Sequence, residues 1–183
     1  TAKANRPGMV YVGANDGMMH GFAGHAGGGQ ELFGYVPAGV ISKLHHLAKP
    51  DYLHRYYADA SALVGDAYIG RWTEVLLSSI GAGGRGVYAL DVTGLGASGD
   101  FAGRNVLWEF NDKLDADMGQ LLERPQIALL ADGRWSAVFG NGFNSQSGRA
   151  ILYVRNLADG TPIAKLDTGA GSVANPNAMT GVA

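Results

Sequence analysis

Asp112, Asp115 and Asp117, followed by Gly119, form the most acidic short stretch of this chain. Carboxylates gathered in a loop suit Ca²⁺, which takes about six to eight oxygen ligands. The pattern is thin, because a calcium loop needs ligands at alternate positions and a distal Glu, and here only Asp115 and Asp117 alternate. A solvated turn is the better reading, with the three acids kept as weak metal candidates. His45, His46 and His54 invite the same question, but neighbours on a helix point about 100° apart and do not readily face one ion. Gly81 to Gly86 looks like a phosphate loop, yet it lacks the Lys-Ser/Thr that would reach phosphate and Mg²⁺, and a strand pattern follows it. Trp72, Trp108 and Trp135 could stack sugars or bases. Trp72 and Trp135 also sit at equivalent points of a repeat, which favours buried packing between modules, with Arg71 and Arg134 over the rings or paired with acids.

No nucleophile is in evidence. The chain has no cysteine, no Gly-x-Ser-x-Gly elbow and no His-Glu-x-x-His helix. Asp59, Asp66 and Asp91 are scattered carboxylates of the kind any surface carries. The expectation is a non-enzymatic chain with no catalytic residues and no bound cofactor. A net charge of -2 over 183 residues offers no footprint for nucleic acid or an anionic membrane surface. No apolar run approaches the roughly 20 residues that span a bilayer.

These residues are positioned by repetition. Gly70-Arg71-Trp72 recurs as Gly133-Arg134-Trp135, and Gly84-Arg85 recurs as Gly148-Arg149, so Trp72, Trp135, Arg85 and Arg149 mark a structural repeat. Trp108 falls within Leu107 to Phe110, which matches Ile163 to Leu166. A repeated unit that cannot bury its own apolar faces must stack on its neighbour. Short β-branched and aromatic runs separated by Gly, Asp and Asn predict four strands per unit. In the first unit they are Tyr56 to Leu63, Trp72 to Ser78, Gly86 to Val92 and Val106 to Phe110. In the second they are Pro125 to Leu130, Ser136 to Gly140, Ala150 to Arg155 and Pro162 to Leu166. Four antiparallel strands per repeat make a propeller blade. The surplus segments 93–104 and 111–123 read as rim loops. A degenerate blade at about 8–37 opens the chain, with Asn15-Asp16-Gly17 as a hairpin cue, and Val40, Ile41, Leu44 and Leu47 predict one amphipathic helix over 38–48. The fold expected is all-β: an incomplete propeller ring spanning 1–183, with blades at about 56–110 and 125–166 and a strandless tail at 170–183. The 29 glycines suit a fold made of tight turns.

The run Val10 to Phe22, the segments Gly81 to Thr93 and Leu107 to Phe110, and Val138 to Ser145 resemble, in order, the C-terminal propeller of the PilC/PilY family of type IV pilus biogenesis factors and tip adhesins. Val-Tyr-Ala-Leu-Asp alone also resembles the repeat of quinoprotein dehydrogenases. The family resemblance implies a bacterial protein secreted across the inner membrane and present in the periplasm, at the outer membrane or on the cell surface at the pilus tip. It implies partners among the minor pilins, a part in pilus assembly and control of retraction, and adhesion to host cells or abiotic surfaces. It also implies that the full-length protein binds Ca²⁺ through a loop downstream of Ala183. The alternatives are a quinoprotein dehydrogenase fragment and a generic periplasmic propeller scaffold.

Overall fold

In the computed structural model, which describes residues 6–182, eleven antiparallel strands form three sheets in sequence order. Blade one holds β1 (Met9–Gly13), β2 (Met19–Ala23) and β3 (Glu31–Tyr35). Blade two holds β4 (Leu63–Tyr68), β5 (Trp72–Ser79), β6 (Gly86–Asp91) and β7 (Val106–Asn111). Blade three holds β8 (Gln126–Leu129), β9 (Trp135–Gly140), β10 (Arg149–Asn156) and β11 (Pro162–Gly171). Each sheet is a meander in which every strand pairs with the next.

Side chains of a strand alternate between its two faces, and blade two uses both. Val75, Leu77, Val87 and Ala89 point at Ala137, Phe139, Ile151 and Tyr153 of blade three. Their neighbours Leu76, Tyr88 and Leu90 point the other way, at Met19, Phe33 and Tyr35 of blade one. All six residues of β6 are therefore buried. The flanking blades have one covered face each. On the far face of blade one, Val10 and Val12 are exposed, and on the far face of blade three Leu166 is exposed.

Polar contacts lock the stack. Glu109 on β7 accepts the Tyr35 hydroxyl and the Ala38 backbone N–H, joining blade one to blade two. Between blades two and three, the Trp108 indole donates to the Leu157 carbonyl at 2.9 Å. The Arg155 guanidinium lies 4.0 Å from the centroid of the Phe110 ring, a cation held over an aromatic face.

Several sequence expectations need correction. The expected strand from Tyr56 to Leu63 is an irregular segment, and the first strand of the blade is β4, beginning at Leu63. Tyr57, Ala58 and Ala60 are buried, but against other backbone: Asn15 Oδ1 accepts the Tyr57 N–H and the Ala14 carbonyl accepts that of Ala58. Burial there mimics a strand pattern, whereas β4 contains Gly65, Asp66 and Ala67, residues of low β-propensity, and is held by a full ladder from Leu63↔Leu77 to Tyr68↔Trp72. The single helix over 38–48 is instead the short α1 (Ala38–Ile41) followed by a 3₁₀ turn at Leu44–Ala48. Only Val40 of its apolar set is buried, Ile41 and Leu47 being exposed. The two segments read as rim loops also send single residues into the core. Segment 93–104 contains α2 (Leu95–Ser98) with Leu95 buried, and Phe101 stacks on Phe33 with centroids 4.5 Å apart. Segment 111–123 buries Met118 and Leu121. The tail is strandless after Gly171 but not idle: Gly142 donates to the Met179 carbonyl and Asn177 to that of Gly148. Ala183, the end of the expected tail, lies outside the described residues.

Candidate functional site

The repeated Gly-Arg-Trp tripeptides form the tips of two equivalent hairpins. Gly70 and Gly133 occupy positive φ, +88° and +86°, the conformation in which a residue without Cβ is unstrained. The turns close through Ile69 N–H to the Arg71 carbonyl and Leu130 N–H to the Arg134 carbonyl. The tryptophans are thereby the first residues of β5 and β9, opposite Tyr68 and Leu129 respectively.

The rings meet across the blade boundary, but outside rather than inside. Trp72 is edge-on to Trp135 with centroids 6.4 Å apart, and edge-on to Tyr68 at 5.9 Å. Trp72 is 67% exposed, Tyr68 54% and Leu129 57%, with Trp135 half-buried. The expected burial of Trp72 is thus corrected, because equivalent positions at hairpin tips can touch while both remain at the surface. Arg71 reaches Asp91, and Arg134 grips Asp132 through Nε and Nη2 at 2.8 and 2.6 Å. Those bonds hold the Asp132 carboxyl below its ordinary pKa. The result is an apolar, aromatic rim edged by two anchored guanidinium groups. Contiguous exposed apolar surface marks contact sites, and Trp, Tyr and Arg are the residue types that dominate binding energy at interfaces.

The other repeated pair plays an internal part. Arg149 on β10 clasps Asp167 on β11, whereas Arg85, just before β6, meets Asp112, just after β7, only loosely at 3.4 Å. Trp108 is buried, 7% exposed, and belongs to the blade-to-blade core. The acidic loop is split: Asp112 turns to Arg85, whereas Asp115 and Asp117 both receive the Lys165 ammonium, at 2.8 and 2.6 Å. Hydrogen bonds from Lys165, and after it Ser147, hold the Asp117 carboxyl below its usual pKa. A lysine occupies the place a cation would need. Among the described residues no group of three or more His, Cys, Asp or Glu is arranged to hold a metal. The His45 and His46 rings meet tilted at 38°, centroids 4.0 Å apart, with His45 against the Ser42 carbonyl. Gly81–Gly83 is a 3₁₀ turn leading into β6.

Two structural residues went unrecognised in the sequence. Asn141 is fully buried, donating to the Asp117 and Arg149 carbonyls and accepting from Ile151 and Met179. One amide thus ties the acidic loop, β10 and the tail together, with all its hydrogen-bonding capacity used. Glu109 is the second, half-buried and bridging Tyr35 of blade one and Ala38 to β7. An Asn between two glycines and a Glu inside an aromatic strand were the only available signals.

Stacked antiparallel meanders, one of three strands and two of four, with cores between successive sheets define a β-propeller segment. The particular family follows from comparison. Residues 1–181 match the PilY1 beta-propeller domain model, and the chain belongs to that family. It is 48% identical over 159 residues, 86% of its length, to a type IV pilus biogenesis factor PilY1 homolog of Xylella fastidiosa. It is 39% identical over 183 residues, 98% of its length, to the type IV pilus biogenesis factor PilY1 of Pseudomonas aeruginosa. The crystal structure of the P. aeruginosa PilY1 C-terminal domain superposes with a TM-score of 0.77 at 34% identity, covering 98% of this chain. The chain spans 10% and 15% of those two relatives and 34% of the crystallised domain. The quinoprotein alternative finds no support in these comparisons.

Proposed function

We propose that this propeller segment serves type IV pilus biogenesis without catalysis, by presenting protein-binding surfaces at the pilus tip on the outside of the cell. Minor pilins are its expected partners, and the Tyr68–Trp72–Trp135 rim is the surface they dock on. The observation that carries the reading is a run of three touching aromatic rings on two equivalent hairpins, Tyr68 and Trp72 exposed and Trp135 half-buried, with Arg71 and Arg134 beside them. Solvated rings of this size stabilise nothing inside the chain in proportion to their area, whereas covering them in a complex would release it from water. Its family membership supplies the pilus context. Contact with a host cell or an abiotic surface would use the same rings.

The test replaces Trp72 and Trp135 by Ala in the full-length protein and measures binding to purified minor pilins alongside surface piliation. A loss of at least about 10-fold in affinity, the effect of one modest interface hot spot, is expected with the circular dichroism spectrum unchanged. Wild-type affinity in the double variant would refute the rim as the docking surface.

A further inference from the structure

The sequence segments Gly81 to Gly86 and Val138 to Ser145 are not explained by the aromatic rim, which lies at the opposite ends of the strands. They converge instead on one cleft. The turn before β6, the loop after β7 and the loop after β9 enclose an open polar cavity of about 440 Å³, with α1 and the residues after it forming another wall. Lys43, Arg85 and Lys113 line it, against a single carboxylate, Asp112. Three cations and one anion give the cleft a local surplus of two positive charges in a chain whose net charge is -2.

These cations are available. Among the described residues neither Lys43 nor Lys113 is in an ion pair. Lys43 Nζ donates to the Gly83 carbonyl at 2.6 Å, which fixes its position while leaving its charge uncompensated. Arg85 meets Asp112 at 3.4 Å, well beyond the roughly 2.7–2.9 Å of a firm charge-assisted bond, so most of its five N–H donors are free for a better acceptor. The floor is polar and fixed. Gln120 Nε2 donates to the Ala82 carbonyl and Asn144 Nδ2 to Gln120 Oε1, both at 2.7 Å. Asn144 is the one non-glycine residue with positive φ among those described, +60°.

We infer that this cleft binds an acidic segment of a partner protein, its carboxylates paired with Lys43, Arg85 and Lys113 and its backbone amides meeting the Gln120–Asn144 pair. Guanidinium and ammonium groups recognise carboxylates, and side-chain amides suit a peptide backbone because each both donates and accepts. The negative charge of the rest of the chain disfavours an extended polyanion, while a compact surplus of two charges matches one or two carboxylates.

The test measures fluorescence anisotropy of a labelled tetraglutamate peptide, and of its tetraglutamine counterpart, titrated with the 183-residue chain. Expected are saturable tetraglutamate binding that weakens as salt rises, at least 10-fold weaker binding of tetraglutamine, and at least 10-fold weakening by Lys43→Gln/Lys113→Gln. Lys113→Glu, at an exposed position, changes charge with little risk to folding and should weaken binding further. Equal binding of the two peptides, or wild-type binding by the folded variants, would overturn the proposal. Displacement of tetraglutamate by equimolar inorganic phosphate would overturn the peptide assignment in favour of a general anion site. Because the pilin-docking assay uses the rim variants, failure of one proposal leaves the other standing.

Discussion

Trp72 and Trp108 occupy strands of the same blade yet should respond to truncation very differently. Trp108 is buried and donates to the Leu157 carbonyl of the next blade. Removing a buried large aromatic costs about 3–5 kcal/mol, and an orphaned buried carbonyl about 1–3 kcal/mol more. The two overlap at one site and do not add fully, so Trp108→Ala is expected to cost about 4–5 kcal/mol. Trp108→Phe, which keeps most of the ring and loses the donor, should cost about 1–3 kcal/mol. Trp72 is two-thirds exposed; its replacement by Ala forfeits edge-on ring contacts worth about 0.5–1.5 kcal/mol and little burial. In urea unfolding followed by circular dichroism, with a slope near 2 kcal/mol per molar, the midpoint should fall by about 2 M for Trp108→Ala and by under about 0.8 M for Trp72→Ala. Equal midpoint shifts would show that the rim is a structural cluster after all and would remove the ground for reading it as a docking surface.

His20 provides a pH test. Burial draws its imidazole pKa down, but hydrogen bonds to Glu31 at 2.6 Å and Asp16 at 2.9 Å outweigh this and leave it above the ordinary value. A folded-state pKa raised over the unfolded one, about 6.5, gives stability that is fully present below that value and lost as pH rises through the folded pKa. The urea midpoint should therefore decline as pH rises from about 6.5 through the folded-state pKa. Glu31→Gln should flatten the decline, and an unchanged slope in that variant would count against the clamp. Calcium provides another test. With Asp115 and Asp117 held by Lys165 and Asp112 turned to Arg85, millimolar Ca²⁺ should leave the melting temperature of this chain essentially unmoved. A site occupied at 100 times its Kd would add about 2.7 kcal/mol, a rise of roughly 5–11 °C. A rise of that size, abolished by Asp115→Ala, would make the loop a calcium site.

Repetition and period-two alternation were legible because both are local: β5, β6, β7 and β9 lie within a residue or two of where the sequence puts them. What failed was inference from burial to element. Tyr57, Ala58 and Ala60 are apolar and buried like a strand, but the N–H groups of Tyr57 and Ala58 go to the turn at Asn15 and Ala14 rather than to a ladder. In the acidic loop the sequence supplies three carboxylates and says nothing of Lys165, about fifty positions away, which β11 brings to two of them. Long-range pairing of that kind appears only once register is fixed.

The aromatic rim shows the same limit from the other side. Two tryptophans in equivalent repeat positions do imply contact, and the contact exists. Whether such a contact is core or surface depends on where along the blade it falls. Gly70 and Gly133, by turning the chain two residues before each tryptophan, place both at hairpin tips, where Trp72 stands in solvent and Trp135 packs half-buried against the cluster of Val75, Leu77, Ala137 and Phe139. The glycine that makes the repeat recognisable is therefore also what brings Trp72 to the surface. Residues chosen for packing alone would sit two or three positions further into the strands, where the interior of this domain is already filled by aliphatic side chains and Phe139. Tyr68 and Trp72, held outside that core, are available to a partner, and Trp135 backs them from the next blade.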